Sequence, residues 1–392
     1  MLDAAARLFT ERGERTVSMR DIATAAGLSA PAIFRHFTTK DDLVGELLGN
    51  AEMDVGTLAH PQAGTSDARG DERATFLTAI AGEATAARHP AHELMRARYA
   101  SGVSSLAATL QNAREDGEFG AQRDPTSSAR WLIAGFDGLR IMHSYLGAKI
   151  DIAGMMTERR GHLALDHGSS PLGFPPGAPA DEQFSLRFTA SRKVAEEVVG
   201  YAAGRARRDR IVNEAMALFA TSGYGDTSLR EVAERVGVTK SALFHHFGTK
   251  SDLLEAVLLE RDARTVATVQ QRSHPTARAA LLALPEDALQ NSVMSAGLVE
   301  LYAILSCEAM PRDHAAHEYF ADRFQRSIGT MATAFRRAAD DGDLPQHLDP
   351  DREAIWLVAL WDGLQIQWLY DKAAIDVSAE LALHLTDILP SH

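Results

Sequence analysis

The chain has 392 residues, 45% of them apolar and 24% charged, an ordinary globular composition with room for two or three domains. Its formal charge of −13 excludes a nucleic-acid binder that works through bulk positive charge, so any DNA contact has to come from a local surface. The single cysteine, Cys307, excludes an intramolecular disulfide and any multi-cysteine zinc site, and it fits a reducing cytosol.

No stretch reaches about 18 uninterrupted apolar residues, so no membrane span is expected. The opening MLDAAARLFTERG lacks a basic region followed by an apolar core and does not read as a signal peptide. Met1–Gly13 reads as a helix with Ala5, Leu8 and Phe9 inward. Ser18–Lys40 reads as two short helices around a tight turn, and Asp41–Val55 begins a connecting helix. Residues 61–70 are loop-like. Helical periodicity returns over Arg73–Arg88, Ala91–Asp116, Thr126–Leu146 and Ile152–Leu165. Asp166–Asp181 is rich in Gly, Pro and Ser and reads as a linker. Ser191–Ala203 is expected to be helical and leads into the basic run Arg205–Arg210. Further helices are expected at Arg210–Ser222, Ser251–Gln271, Glu286–Met310, His314–Asp341, Arg352–Tyr370 and Ser378–Leu389. No segment keeps a period of two, so the fold class is all-α.

Ser228–Lys250, SLREVAERVGVTKSALFHHFGTK, carries the most information. Ser228 and Glu231 form a capping box at the start of one short helix. Gly237 stands where the helix end needs a residue tolerant of positive φ. Thr239 caps a second helix, and Thr249 with Asp252 opens a third. Between Val236 and Ser251 there is no acidic residue, while Lys240, His245, His246 and Lys250 are available. Helix, glycine turn and acid-free second helix are the pattern of a helix-turn-helix.

A shift of 210 residues lays Met1–Leu47 on Ile211–Val257 without a gap, with 16 of 47 positions identical. A second correspondence, offset by 225, links His92-Glu93 to His317-Glu318, Asp124-Pro125 to Asp349-Pro350, Trp131 to Trp356, and Asp137-Gly138-Leu139 to Asp362-Gly363-Leu364. The chain is therefore a duplication of one two-part unit.

Each copy resembles a TetR-type one-component regulator. The segments GLSAPAIFRHFTTKDDL and GVTKSALFHHFGTKSDL resemble that family's recognition region, and the DPxxxAxWLxAxxDGL run resembles a late body helix. The resemblance implies two tandem units, each a three-helix helix-turn-helix head followed by an α-helical ligand-binding and dimerisation body. The divisions expected are 1–47 and 205–257 for the heads, 48–165 and 258–392 for the bodies, and 166–204 for the linker and a connecting helix. Phe34 and Phe244 replace the family's usual recognition-helix tyrosine, and the first copy lacks the basic arm that precedes the second.

In such a head the N-terminal residues of the second helix reach base edges in the major groove. In the second copy these are Thr239, Lys240, Ser241 and His245, with Lys240 the best reader of guanine O6 and N7. In the first they are Ser29, Ala30, Pro31 and Arg35, and Pro31 is tolerated in a first helical turn. Thr39, Lys40, Thr249 and Lys250 are expected at phosphates, as are Ser18, Arg20, Thr227 and Arg230. Ser18, Thr39, Ser228 and Thr249 have a competing use as helix caps. His36 and His246 either donate to phosphate or pack. Phe34, Phe37, Phe244 and Phe247 are expected in the core.

Trp131, His143, Trp356 and Trp368 lie on the apolar helices of the bodies, where they pack in the core, form a helix-bundle interface or line a ligand pocket. No nucleophile elbow, phosphate loop or metal-ligand spacing is present, so catalysis, a metal and a cofactor are not expected. The expected partners are a double-stranded DNA operator and a small-molecule effector, acting on a cytoplasmic repressor. The two units pair within one chain as a pseudo-dimer, or the chain forms a homodimer. A linker of about 25 residues spans roughly 80 Å when extended, which permits the first arrangement. The rival reading is a helical interaction or ligand-sequestering protein in which one or both heads no longer bind DNA.

Overall fold

The computed structural model describes residues 1–49, 68–86, 89–166, 168, 173, 183–188, 202–222, 224, 227–269, 272–294 and 296–390. Among the described residues there are seventeen α-helices and no β-strand; one isolated antiparallel bridge joins Phe184 to His274. The expected linker lies largely outside these residues, as do the expected helix over 191–201 and the loop over 61–67.

The first head comprises α1 (Leu2–Arg12), α2 (Met19–Ala25), α3 (Ala30–Ile33) and the start of α4 (Lys40–Gly49). The Ser18 hydroxyl accepts from the Asp21 amide while the Asp21 carboxylate accepts from the Ser18 amide, which fixes where α2 begins. Ala5, Phe9, Ile22, Ile33 and Leu43 close the head's core. The second head repeats this with α9 (Ala202–Ser222), α10 (Leu229–Val236), α11 (Lys240–His246) and α12 (Lys250–Val269). Gly237 ends α10 at φ 75°, ψ 35°, the left-handed cap that glycine accepts without a Cβ clash.

The first body is α5 (Ala68–Glu83), α6 (His92–Glu115), α7 (Pro125–Leu146) and α8 (Ile152–Leu163). The second is α13 (Ala277–Met294), α14 (Ala296–Glu308), α15 (His317–Asp340), α16 (Pro350–Tyr370) and α17 (Val377–Ile388). Asp124 and Asp349 cap α7 and α16 by accepting from backbone N–H groups of the first turn, and Pro125 and Pro350 take the N1 position.

Two expectations are corrected here. Residues 68–70, expected as loop, begin α5. One helix was expected over Glu286–Met310, but α13 starts at Ala277 and α14 begins only at Ala296. The Thr276 hydroxyl accepts from the Ala279 amide and starts α13 early. Pro285 sits inside that helix, and its carbonyl accepts from the Ser378 hydroxyl of α17 at 2.8 Å.

The bodies meet along α7 and α16. A Cβ added to Gly138 would lie under 3.0 Å from the Ala359 backbone, and one on Gly363 would do the same at Ala134. These contacts are equivalent under the 225-residue offset, so α7 and α16 cross at a near-twofold axis where both backbones touch through glycine. α5 and α14 also pack together, with Gly82 against the Cys307 side chain.

Candidate functional site

In the second head the Thr239 hydroxyl accepts from the Ala242 amide at 3.1 Å, so the expected cap is in place and that oxygen serves the helix. Lys240, Ser241 and His245 project from α11 into solvent, with the Lys240 Nζ 5.5 Å from the Phe244 ring centre. Thr249 and Asp252 cap the next helix reciprocally, at 2.9 and 3.1 Å. Ser228 is occupied by its capping box, Thr227 is buried, and Arg230 pairs with Glu234 at 2.7 Å. Burial, and then the neighbouring His245, Arg207 and Arg208, lower the pKa of His246.

In the first head Ser29, Pro31, Arg35 and His36 are exposed and Ala30 is half-buried. Arg20 and Thr39 are exposed too, with Thr39 capping α4 together with Asp42. The recognition helix is only Ala30–Ile33, with no side-chain cap. A core position for all four phenylalanines does not hold: Phe247 is buried and Phe37 half-buried, but Phe34 and Phe244 are 49% and 41% exposed. Ile33 and Leu243 take the inward place on each helix, and the next residue turns about 100° outward.

Lys40 and Lys250 are drawn inward. The Lys40 Nζ donates to the Glu14 carbonyl at 2.9 Å and pairs with its carboxylate at 2.9 Å. Glu14 in turn stands with Glu83 and His89 of the first body, their ligand-type atoms within 4.8 Å of one another. These residues are far apart in sequence, so spacing could not have shown the cluster; Lys40 supplies positive charge there. In the second copy Tyr224 replaces Glu14, and Lys250 Nζ lies 4.3 Å from its ring centre. His314 packs edge-on to the same ring at 5.5 Å. In each copy a residue before the first short helix thus joins head to body, beside the packing of α1 on α5 and of α9 on α14.

Inside the bodies the Tyr99 hydroxyl donates to Asp137 at 2.8 Å. Burial pushes the Asp137 carboxyl up to about 6, with the Tyr99 bond and the nearby Arg98 and Arg140 working the other way. Phe324 stands at the matching place in the second body and cannot donate. Asp362 there keeps a buried oxygen without a hydrogen-bond partner. Arg323, the counterpart of Arg98, lies 3.8 Å from the Tyr302 ring centre on which Arg261 also stacks, at 4.3 Å. Burial and then Arg261 bring Arg323 down to about 9. The Tyr302 hydroxyl and one Arg323 Nη are also buried without partners. The second body's interior therefore holds buried polar atoms whose hydrogen-bonding capacity is unused.

The expected ligand residues separate. Trp131 is buried and its Nε1 donates to Glu380 Oε2 at 2.7 Å. Trp356 is buried beneath Arg159, whose guanidinium carbon is 4.6 Å from the ring centre. His143 Nδ1 meets the Ile150 carbonyl at 3.0 Å, and Trp368 is half-buried with Lys372 over its ring at 4.9 Å. Sequence reading missed Arg123, which donates from Nη1 and Nη2 to Asp387 at 2.6 and 3.0 Å across the body seam. His162 also contacts Asp387, at 2.9 Å. Burial works to raise the Asp387 carboxyl, but the bonds from His162 and Arg123 hold it well below the usual range. No helix among the described residues is long and apolar enough to cross a membrane.

Comparison with known proteins fits this architecture. The family described as "Bacterial regulatory proteins, tetR family" matches residues 1–47 and 211–257, and "BetI-type transcriptional repressor, C-terminal" matches 277–389. The HTH-type transcriptional repressor Rv3405c of Mycobacterium tuberculosis is 43% identical over 63 residues, 16% of this chain, and the chain spans only 34% of that protein. The HTH-type transcriptional regulator TtgR of Pseudomonas putida is 27% identical over 189 residues, 44% of this chain and 85% of TtgR. A crystal structure of a Saccharomonospora viridis transcriptional regulator in complex with choline is 26% identical, with a TM-score of 0.41, covering 47% of this chain and 95% of that one. With both helix-turn-helix heads and the second body matched, the chain belongs to the TetR family.

Proposed function

We propose that the chain is a sequence-specific DNA-binding transcriptional regulator, a cytoplasmic repressor that responds to a small molecule. Its two units act as a pseudo-dimer within one chain. The observation that carries this reading is the pair of capped helix-turn-helix heads borne by bodies that meet at the Gly138 and Gly363 crossing. The domain division is the one read from the sequence: heads at 1–47 and 205–257, bodies at 48–165 and 258–392.

In the second head Lys240, Ser241 and His245 read base edges, and Thr249, Arg230 and the basic arm hold phosphates. Ser29, Pro31 and Arg35 take the first role in the other head. Because these sets differ, the operator has two unlike half-sites. Ligand in a body favours a conformation in which the heads are wrongly spaced for successive major grooves.

One observation supports a second reading, in which the first head has lost DNA binding: its recognition helix spans four residues and has no side-chain cap. The test is fluorescence anisotropy of the full chain on DNA from its own promoter region at stepped salt. Binding that favours this DNA over scrambled sequence and weakens steeply with salt is expected. Equal affinity for scrambled DNA at every salt concentration would overturn the proposal.

A further inference from the structure

The near-twofold axis places equivalent residues on the two sides of the body seam, and the two sides have not been built alike. On one side Trp131 Nε1 donates to Glu380, Arg130 pairs with the same carboxylate, and neutral His384 lies edge-on to the indole. Burial keeps His384 neutral, pushing its pKa well below the ordinary value. Arg123 fills the neighbouring space and is tied to Asp387 and to the Leu165 carbonyl. That side is closed.

On the other side Trp356 takes the place of Trp131, Met155 the place of Glu380, Arg159 the place of His384 and Leu348 the place of Arg123. The carboxylate is gone and a guanidinium has been gained. Here a cavity of about 370 Å³ opens, lined by Met155, Arg159, His162, His347, Leu348 and Trp356 among others. Trp356 Nε1 and Arg159 Nε and Nη1 are buried with no hydrogen-bond partner. The acidic groups on the wall are already engaged. Glu353 accepts from Arg159 Nη2 at 2.7 and 2.8 Å, Asp349 caps α16, and Glu158 pairs with Arg352. The site therefore has idle donors on Trp356 and Arg159 beside carboxylates that are already engaged. His347 Nδ1 on the same wall is also without a partner and donates or accepts according to its tautomer. Buried polar groups rarely stay in such a state.

We propose that this cavity binds a small organic carboxylate. The ligand's carboxylate accepts from Trp356 Nε1 and the idle Arg159 N–H groups, the role that Glu380 fills beside Trp131. Its apolar part lies on Met155, Leu165 and Leu348. The site lies between the two bodies, apart from the buried Tyr302 and Arg323 inside the second body. It does not depend on the regulatory reading, because binding is measured on the protein without DNA.

Isothermal titration calorimetry of the full chain with benzoate, phenylacetate and hexanoate tests it, with benzamide as the uncharged control. One-to-one saturable binding of at least one acid is expected, with benzamide about tenfold weaker or worse, since charge-assisted hydrogen bonds are lost. Met155→Glu installs the carboxylate of the closed side and should abolish acid binding while leaving the thermal midpoint unchanged or raised. Arg159→Lys keeps a cation for Glu353 but removes the planar donors, and should weaken binding about tenfold. No saturable binding by any of the acids up to about 1 mM, benzamide binding as tightly as benzoate, or undiminished acid binding by both variants overturns the proposal.

Discussion

The Tyr145 hydroxyl donates to the Ser306 carbonyl at 2.6 Å, and the Tyr370 hydroxyl donates to the Ala81 carbonyl at 2.7 Å. Each pair becomes the other when both numbers move by 225, so the duplication has kept a reciprocal bond across the seam. Tyr145→Phe and Tyr370→Phe should each lower stability by about 1 kcal/mol, with the fully buried Tyr370 the more costly. Urea unfolding of the single and double variants checks this, and unchanged midpoints in all three would contradict a role in holding the bodies together.

The crossing of α7 and α16 gives a sharper expectation. A methyl group at Gly363 or Gly138 meets backbone, which cannot rotate away as a side chain can. Gly363→Ala should therefore cost about 3 kcal/mol or more, at the upper end for an overpacked core. Gly329→Ala, where an added Cβ meets nothing within 4 Å, is the control and should be neutral or mildly stabilising. Thermal unfolding distinguishes them.

The heads give a third. Lys240→Ala should reduce operator affinity by about 1–3 kcal/mol and flatten discrimination at one base pair. If the first head also reads DNA, Arg35→Ala shifts affinity at the opposite half-site by a similar amount. If only Lys240→Ala has an effect, the second head works alone. Anisotropy against half-site-scrambled operators reads both outcomes.

Asp137 predicts a pH dependence. Its carboxyl is raised to about 6 in the fold by burial, whereas the unfolded chain titrates near the ordinary value of 3.8. Between these the folded chain holds the extra proton, so stability falls as pH rises from about 4 to about 6 and stays lower above that. The loss is on the order of 2–3 kcal/mol. Asp137→Asn, which can still accept from Tyr99, should remove this slope. Chemical denaturation at pH 4.5, 5.5 and 7 measures it, and an identical slope in the variant would rule Asp137 out as its source.

The helices and the duplication were legible because local signals carry them. Ser228 with Glu231 and Thr249 with Asp252 mark helix starts by chemistry that needs no tertiary partner. The duplication showed in the repeated DPxxxAxWL run. Thr276 carries the same kind of signal for α13, and that helix runs on through Pro285. The exposure of Phe34 and Phe244 was hidden because hydrophobicity alone does not say which side of a four- or seven-residue helix faces inward. Lys40 was read as a phosphate contact from its place at a helix start. Its inward turn depends on Glu14, 26 residues earlier, a relation that sequence spacing does not reveal. Arg123, His162 and Asp387 meet only after the two bodies pack.

The unequal seam has a consequence for how such a chain can change. In a symmetric dimer of separate subunits every substitution at the axis strikes twice, so a residue useful on one side is imposed on the other. Here Met155 and Glu380, or Leu348 and Arg123, are encoded separately. One side can hold the assembly closed while its counterpart drifts, one codon at a time, toward a new chemical specificity.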